Sequence, residues 1–281
     1  MLSEGVHSLV DTSNEILLPY GMRRAAKPRD ASHPLGYGRE LYFWSFIVAL
    51  LIFAIGAGVS AYEGITHILN PEPIANPLIN YIVIAASVAF EGTTWRIALR
   101  KFGGEKGDVG YIRAIRNSKD PTTFTVLVED SVALVGLAIA AAGIVSSQVF
   151  SMPELDGVAS IGIGVLLAGT AFFLARESKD LLLGEPALPA VRAAIMTIAS
   201  ADKAIRHVNA VITTQLGPDQ VLAALSAEFE DSLTTTDIEQ CIERLEASIR
   251  QTHPEVTALF VKPQSASTWQ SRVGTVPKRD G

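Results

Sequence analysis

A helical membrane bundle with a small soluble domain behind it is the fold class that this chain of 281 residues predicts. Three observations predict it: long apolar stretches before residue 183, a one-sided distribution of Lys and Arg between them, and an ordinary soluble composition from Glu185 onward. The stretches are Leu41–Tyr62, Leu78–Ala98, Phe124–Ser147 and Val158–Ala175. At 1.5 Å per residue, a helix of that length crosses about 30 Å of hydrocarbon.

The connections fix an orientation. Segment 23–39 carries Arg23, Arg24, Lys27, Arg29 and Arg39, and segment 100–119 carries Arg100, Lys101, Lys106, Arg113, Arg116 and Lys119. Arg176 and Lys179 follow the last span, whereas His67–Pro77 and Gln148–Gly157 contain no Lys or Arg. By the positive-inside rule the basic segments and the C-terminal tail are cytoplasmic.

Ahead of these spans, Ser3–Met22 sets Val6, Leu9, Val10, Ile16, Leu17 and Leu18 against Glu4, His7, Ser8, Asp11, Thr12 and Asn14. A charge at mid-membrane costs about 2.5–3.5 kcal/mol, so such polarity does not suit a lipid-facing helix. It fits a fifth span whose polar face lines a site inside the bundle, or else an amphipathic helix on the surface. As a span it would place the start of the chain on the outer face. Residues 3–8 have neither the basic nor the apolar region of a signal peptide.

A net charge of -6 argues against a nucleic-acid partner. The single cysteine, Cys241, can form neither an internal disulfide nor a cysteine-based zinc site. In the back half the pattern predicts a helix (Pro189–Ser200), two strands (His207–Leu216 and Gln220–Glu230), a helix (Thr235–Thr252) and a strand (Glu255–Lys262). Thr234–Asp237 before Ile238, Ile242, Leu245 and Ile249 is a helix start followed by an apolar stripe. From Ser265 the chain is polar and reads as disordered.

Several motifs in order carry a resemblance. They are Gly5-Val6-His7-Ser8-Leu9-Val10-Asp11, His33-Pro34-Leu35-Gly36-Tyr37-Gly38-Arg39, Asp156-Gly157-Val158-Ala159-Ser160, Gly184-Glu185-Pro186 and Gln215-Leu216-Gly217-Pro218. Together they resemble the cation diffusion facilitator transporters, on the branch that includes the ninth mammalian zinc transporter. The resemblance spans about residues 3–263. It implies a bundle of six transmembrane helices in the family and five here, then a cytoplasmic α+β ferredoxin-like domain, assembled as a homodimer in a membrane. The domains would be 1–183 (transmembrane), 184–263 (ferredoxin-like, dimerising) and 264–281 (disordered). The chain begins where the family's second helix begins, which implies a start assigned too late or a truncated gene. The implied activity is transport, not catalysis: divalent metal leaves the cytoplasm in exchange for protons, with no tightly bound cofactor and no nucleic acid.

The family's transport site takes two ligands four residues apart on the second helix and two on the fifth. His7 and Asp11 have that spacing, which places both on one helical face. Asp130 matches the second acidic ligand of the fifth helix, but its partner position is Val126. The site therefore has His7, Asp11 and Asp130, with water or Glu129 as a fourth ligand. An imidazole with carboxylates suits zinc, and also cobalt, iron or manganese. Glu129 is turned about 100° from Asp130, which also leaves open a dimer contact or a polar neighbour for it. Asp130 has a bland reading too, as a carboxylate hydrogen-bonded between helices. Asn14 would orient a ligand or water.

Other residues read less sharply. Asp30 and His33 match two of three loop ligands of some relatives, with Tyr37 at the third position, and His33-Pro34 suits a turn equally well. Glu63 and Glu91 read as groups that pair with basic residues or hydrate the path. His67 reads as solvated, and Asp156 as the cap of the last span. In the tail, His207 and His253 lack clustered partners, which predicts weak or no metal binding there. The missing ligand and missing helix also leave room for a regulatory or degenerate relative that does not transport.

Overall fold

The computed structural model describes residues 2–71, 77–105 and 110–273. It divides into two compact units, Met1–Asp30 with Arg39–Leu182, and Ala31–Gly38 with Leu183–Gly281.

The first unit is helical. In chain order it holds α1 (Leu2–Ala25), α2 (Arg39–Leu51), a π-helical segment (Ile52–Ala57), α3 (Gly58–Leu69), α4 (Pro77–Glu105), α5 (Tyr111–Asn117), α6 (Pro121–Phe150) and α7 (Glu154–Leu183). Arg39–Leu69, Leu78–Gly104, Pro121–Phe150 and Glu154–Leu183 are long and apolar enough to cross a membrane. Each of the four long apolar stretches lies inside one of them. The π segment was not legible from the pattern. It widens the run from α2 into α3 beside Gly164, where a Cβ would come within 3.3 Å of the Ala57 carbonyl. Such single-turn widenings inside α-helices are concentrated at functional sites.

Local chemistry sets the helix ends and crossings. Asp120 caps α6 by accepting from the Thr122 N–H at 3.0 Å, with Pro121 in the first turn. Glu154 and Asp156 occupy the first turn of α7, where the helix dipole favours an acid. Gly64 of α3 and Gly157 of α7 meet backbone to backbone; a Cβ on Gly157 would lie 2.8 Å from the Gly64 carbonyl oxygen. That approach carries His67 to Asp156, with Nδ1 3.3 Å from Oδ2, so His67 pairs with the α7 terminus and is not merely solvated.

The C-terminal half of α1 belongs to the bundle. Leu18 is buried in the same core as Tyr42, Val48, Phe124 and Leu174. At Gly21 a Cβ would come 2.8 Å from the Trp44 Cβ, so the glycine admits the indole. Tyr20 packs edge-to-face on that indole with centroids 4.9 Å apart. Arg24 and Trp44 both donate to Glu40, at 2.7 and 3.0 Å.

The second unit is α+β: α8 (Pro189–Ala201), β1 (Ile205–Gly217), β2 (Gln220–Phe229), α9 (Thr235–Thr252), β3 (Val256–Pro263) and α10 (Ala266–Val273). The sheet runs β1-β2-β3, with β1 antiparallel and β3 parallel to β2. A parallel neighbour needs a crossover, and α9 supplies it. Ile195, Val221, Leu225, Cys241, Leu245 and Ile249 form its core. The α9 start is a capping box between Thr234 and Asp237, whose hydrogen bonds from Thr234 hold the Asp237 carboxyl below its ordinary range. Ala31–Gly38 joins this unit because Gly38 lies against the β1–β2 turn. A Cβ there would stand 2.5 Å from the Leu216 carbonyl oxygen.

Part of the tail expected to be disordered is ordered. Ala266–Val273 forms α10 because its entry is tied down: the Ala266 N–H donates to Glu228 at 3.0 Å, and Asn209 donates to the Gln264 carbonyl at 2.8 Å. Residues 274–281 lie outside the described residues.

Cys241 is fully buried on the inner side of α9. Burial, reinforced by the Asp202 carboxylate, pushes its thiol up to about 11. A thiol reagent should therefore leave native Cys241 unmodified from either side, so it cannot report orientation. Because the folded value lies above the free-cysteine value of about 8.5, burying the neutral thiol stabilises the fold fully below that pH. The contribution is lost as pH rises through about 11. In thermal melts from pH 8 to 11, the wild type should lose more than Cys241→Ala.

Candidate metal site

Within the first unit, α1, α4 and α6 enclose a cavity of about 350 Å³. α6 contributes Thr122, Val126, Glu129, Asp130 and Ala133, which recur at helical spacing along one face. α4 contributes Phe90, Glu91 and Thr94, and α1 contributes Leu18, Pro19 and Met22. The α4–α6 register is pinned by Trp95 donating to the Ser131 hydroxyl at 2.9 Å and Lys101 donating to the Thr123 hydroxyl at 3.4 Å.

Asp130 is the chemical focus. Its Oδ2 is buried with no hydrogen-bond partner among the described residues. An unpaired carboxylate oxygen in an apolar-walled cavity is costly, since buried polar groups are almost always paired. A cation, a proton or water would relieve that cost. Thr94 faces the carboxylate from α4 while donating to the Glu91 carbonyl at 3.0 Å.

Of the expected site residues, Asp130 and Glu129 are brought together on this cavity, and so is Val126. The sequence left Glu129 between several environments; it lines the same wall as Asp130. Glu91 also lines the cavity, in keeping with one of its two sequence readings, a group that hydrates the path. Its signal was available, a lone acid within an apolar span, but nothing in the pattern showed which way it faced. His7, Asp11 and Asn14 lie in α1, but their side chains fall outside the described residues. Among the described residues, no three His, Cys, Asp or Glu side chains form a metal-sized group.

In the loop, His33 is engaged in a turn. Its ring stacks on Tyr37 at 3.9 Å, its Nδ1 lies 2.9 Å from the Ser32 hydroxyl, and the Gly36 N–H returns to its carbonyl at 2.9 Å. Gly36 adopts φ 90, which glycine tolerates without strain. Asp30 lies exposed just before this turn. In the second unit, His253 Nδ1 sits 2.9 Å from Glu255, and His207 pairs across the strands with Glu228.

The cation efflux transmembrane domain matches residues 1–183. The chain belongs to the cation efflux family. This family consists of transporters, not enzymes, and the chain is an integral membrane protein of that kind. The proton-coupled zinc antiporter SLC30A9, mitochondrial, of Homo sapiens is 33% identical over 238 residues, 84% of this chain and 42% of that protein. Metal tolerance protein C4 of Arabidopsis thaliana is 34% identical over 186 residues, 66% of this chain and 41% of that protein. The cation-efflux pump FieF of Cronobacter sakazakii is 24% identical over 257 residues, 90% of this chain and 79% of that protein. The chain thus spans about two fifths of the length of the first two relatives.

Proposed function

We propose that this efflux-family chain exchanges a divalent cation, zinc foremost, for protons and moves the metal out of the cytoplasm. The observation that carries the reading is the buried Asp130 oxygen, unpartnered among the described residues, in a cavity between three helices, one of which bears the His7 and Asp11 pair. The proton-coupled zinc antiporter named above supports zinc and protons as the exchanged ions. Metal ligands must lose protons to bind, so metal and protons compete for one site. His7 is suited to that competition because imidazole titrates near neutrality. Outward release would follow protonation of the site from the opposite face.

The remaining parts of the proposal are a homodimer, joined through the C-terminal unit, in a bacterial inner membrane with that unit on the cytoplasmic side. Zinc, not the protein's own cofactor, would occupy the site, and cobalt, iron or manganese are the alternative cargo. Val126, on the cavity wall where a ligand is due, favours one rival: a regulatory relative that does not transport.

The test is zinc uptake by proteoliposomes carrying a pH gradient, with internal pH followed at the same time. Uptake should scale with the gradient and move protons the other way. Absence of metal-dependent proton movement would leave the regulatory reading. Orientation is checked separately in a Cys241→Ala background. A cysteine replacing the exposed Met152 should label from outside, and one replacing Lys27 only from inside. The reverse pattern would overturn the direction of transport.

A further inference from the structure

We propose that Glu91 of α4 supplies the side-chain ligand that Val126 of α6 cannot give, and that it thereby makes the metal site rich in oxygen donors. The proposal rests on the transport-site reading of the Asp130 cavity and goes beyond it by adding a third helix to the ligand set.

Val126 lies four residues before Asp130 and lines the same cavity, so the place of a ligand is occupied by two methyl groups. On the same cavity α4 contributes Glu91 and Thr94, three residues apart and therefore neighbours on one helical face. Thr94 faces the Asp130 carboxylate, so Glu91 stands within one helical turn of the group that faces Asp130. The Trp95–Ser131 hydrogen bond of 2.9 Å holds α4 and α6 in that register. Among the described residues Asp130 Oδ2 is buried with no hydrogen-bond partner, an independent sign that a cation belongs beside it.

Glu129 shares the wall but is less suited to the role. Adjacent residues on a helix project about 100° apart, so Glu129 and Asp130 diverge from a common point. A residue on the facing helix converges on it.

The donor set has a chemical consequence. His7, Asp11, Asp130 and Glu91 give one imidazole and three carboxylates. Carboxylate oxygens suit manganese and other harder cations, whereas zinc gains more from nitrogen and sulfur donors. Glu91 should therefore narrow the preference of the site for zinc over manganese.

The experiment is calorimetry on the purified full chain with ZnCl2 and with MnCl2, for wild type, Glu91→Gln, Glu91→Asp, Asp130→Asn, Val126→His and the Glu91→Gln/Val126→His pair. Glu91→Gln should weaken manganese by at least the ~10–100-fold typical of disturbing a metal site, and zinc by less, so that the zinc-to-manganese ratio rises. Glu91→Asp should recover part of the manganese affinity, which a purely structural role would not require. In the Val126→His background, Glu91→Gln should cost zinc affinity clearly less than it does alone, because both positions serve one coordination place. Glu91→Gln with unchanged affinities, or with an unchanged metal ratio, overturns the proposal while the site reading stands if Asp130→Asn still weakens binding. An equal effect of Glu91→Gln in both backgrounds overturns it as well. Unchanged binding in Asp130→Asn removes the site reading itself.

Discussion

Replacing Asp130 with Ala should abolish metal transport and leave the helical bundle folded, or even firmer. The two halves of that result have different causes. Transport fails because the substitution removes a ligand, and losing a ligand should exceed the ~10–100-fold affinity loss that follows from disturbing a ligand's supporting partner. Stability does not fall because the wild-type fold already carries a cost there: Asp130 Oδ2 is buried with no hydrogen-bond partner among the described residues. Removing a carboxylate with one unpaired buried oxygen relieves part of its desolvation penalty, about 1–3 kcal/mol by mutational measures, against the loss of its contact with Thr94 and a modest loss of side-chain packing. A gain in stability with a loss of function is the pattern of a residue kept for its activity. A residue holding two helices together would show the opposite, lower stability with transport to match. The measurements are the initial rate of zinc uptake in proteoliposomes and the melting temperature of the same preparation in detergent. Normal uptake by Asp130→Ala would remove this carboxylate from the transport site. A large drop in melting temperature would return Asp130 to the role of an interhelical strut.

Much of the architecture was legible because it rests on period and length. Leu41–Tyr62, Leu78–Ala98, Phe124–Ser147 and Val158–Ala175 all lie within observed helices, since long apolar runs have few other solutions. The α9 start was readable because Thr234 and Asp237 make a cap that local sequence specifies. The site was legible only in part. Asp130 and Val126 are fixed by one helix's own periodicity, and both face the cavity together. Glu91 is not. Its role depends on how α4 turns against α6, which Trp95 and Ser131 settle across 36 positions of sequence. Gly38 is a similar case: nothing near it in the chain shows that it abuts Leu216 and Gly217. Even α10 was hidden, because a short polar helix owes its order to the long-range bond between Ala266 and Glu228.

The Val126→His variant should bind zinc more tightly than the wild type and turn over no faster. The substitution places an imidazole one helical turn before Asp130, where the Cβ atoms of residues four apart lie about 5–6 Å from each other. Val126 is 37% exposed toward the cavity, so a larger ring has room without forcing the α4–α6 packing. With His7, Asp11 and Asp130 the variant would offer two imidazoles and two carboxylates, a tetrahedral set well matched to zinc. Binding energy gained by the resting site is shared by the bound state that must release its metal, so tighter capture slows release and uniform binding does not raise turnover. Calorimetry should therefore show a lower Kd for zinc, while the maximal uptake rate in proteoliposomes stays equal or falls. Glu129→Gln offers a control on the same wall: with Glu91 as the ligand, it should change zinc affinity little in either background. The pH dependence should change in a stated direction. A second imidazole must be neutral to bind, so zinc affinity in the variant should fall more steeply as pH drops through the range near 6.5 where histidine titrates. Equal zinc affinity in Val126→His and the wild type would show that position 126 does not reach the metal. The register assigned to α6 around Asp130 would then have to be given up, and with it the claim that this helix completes the site.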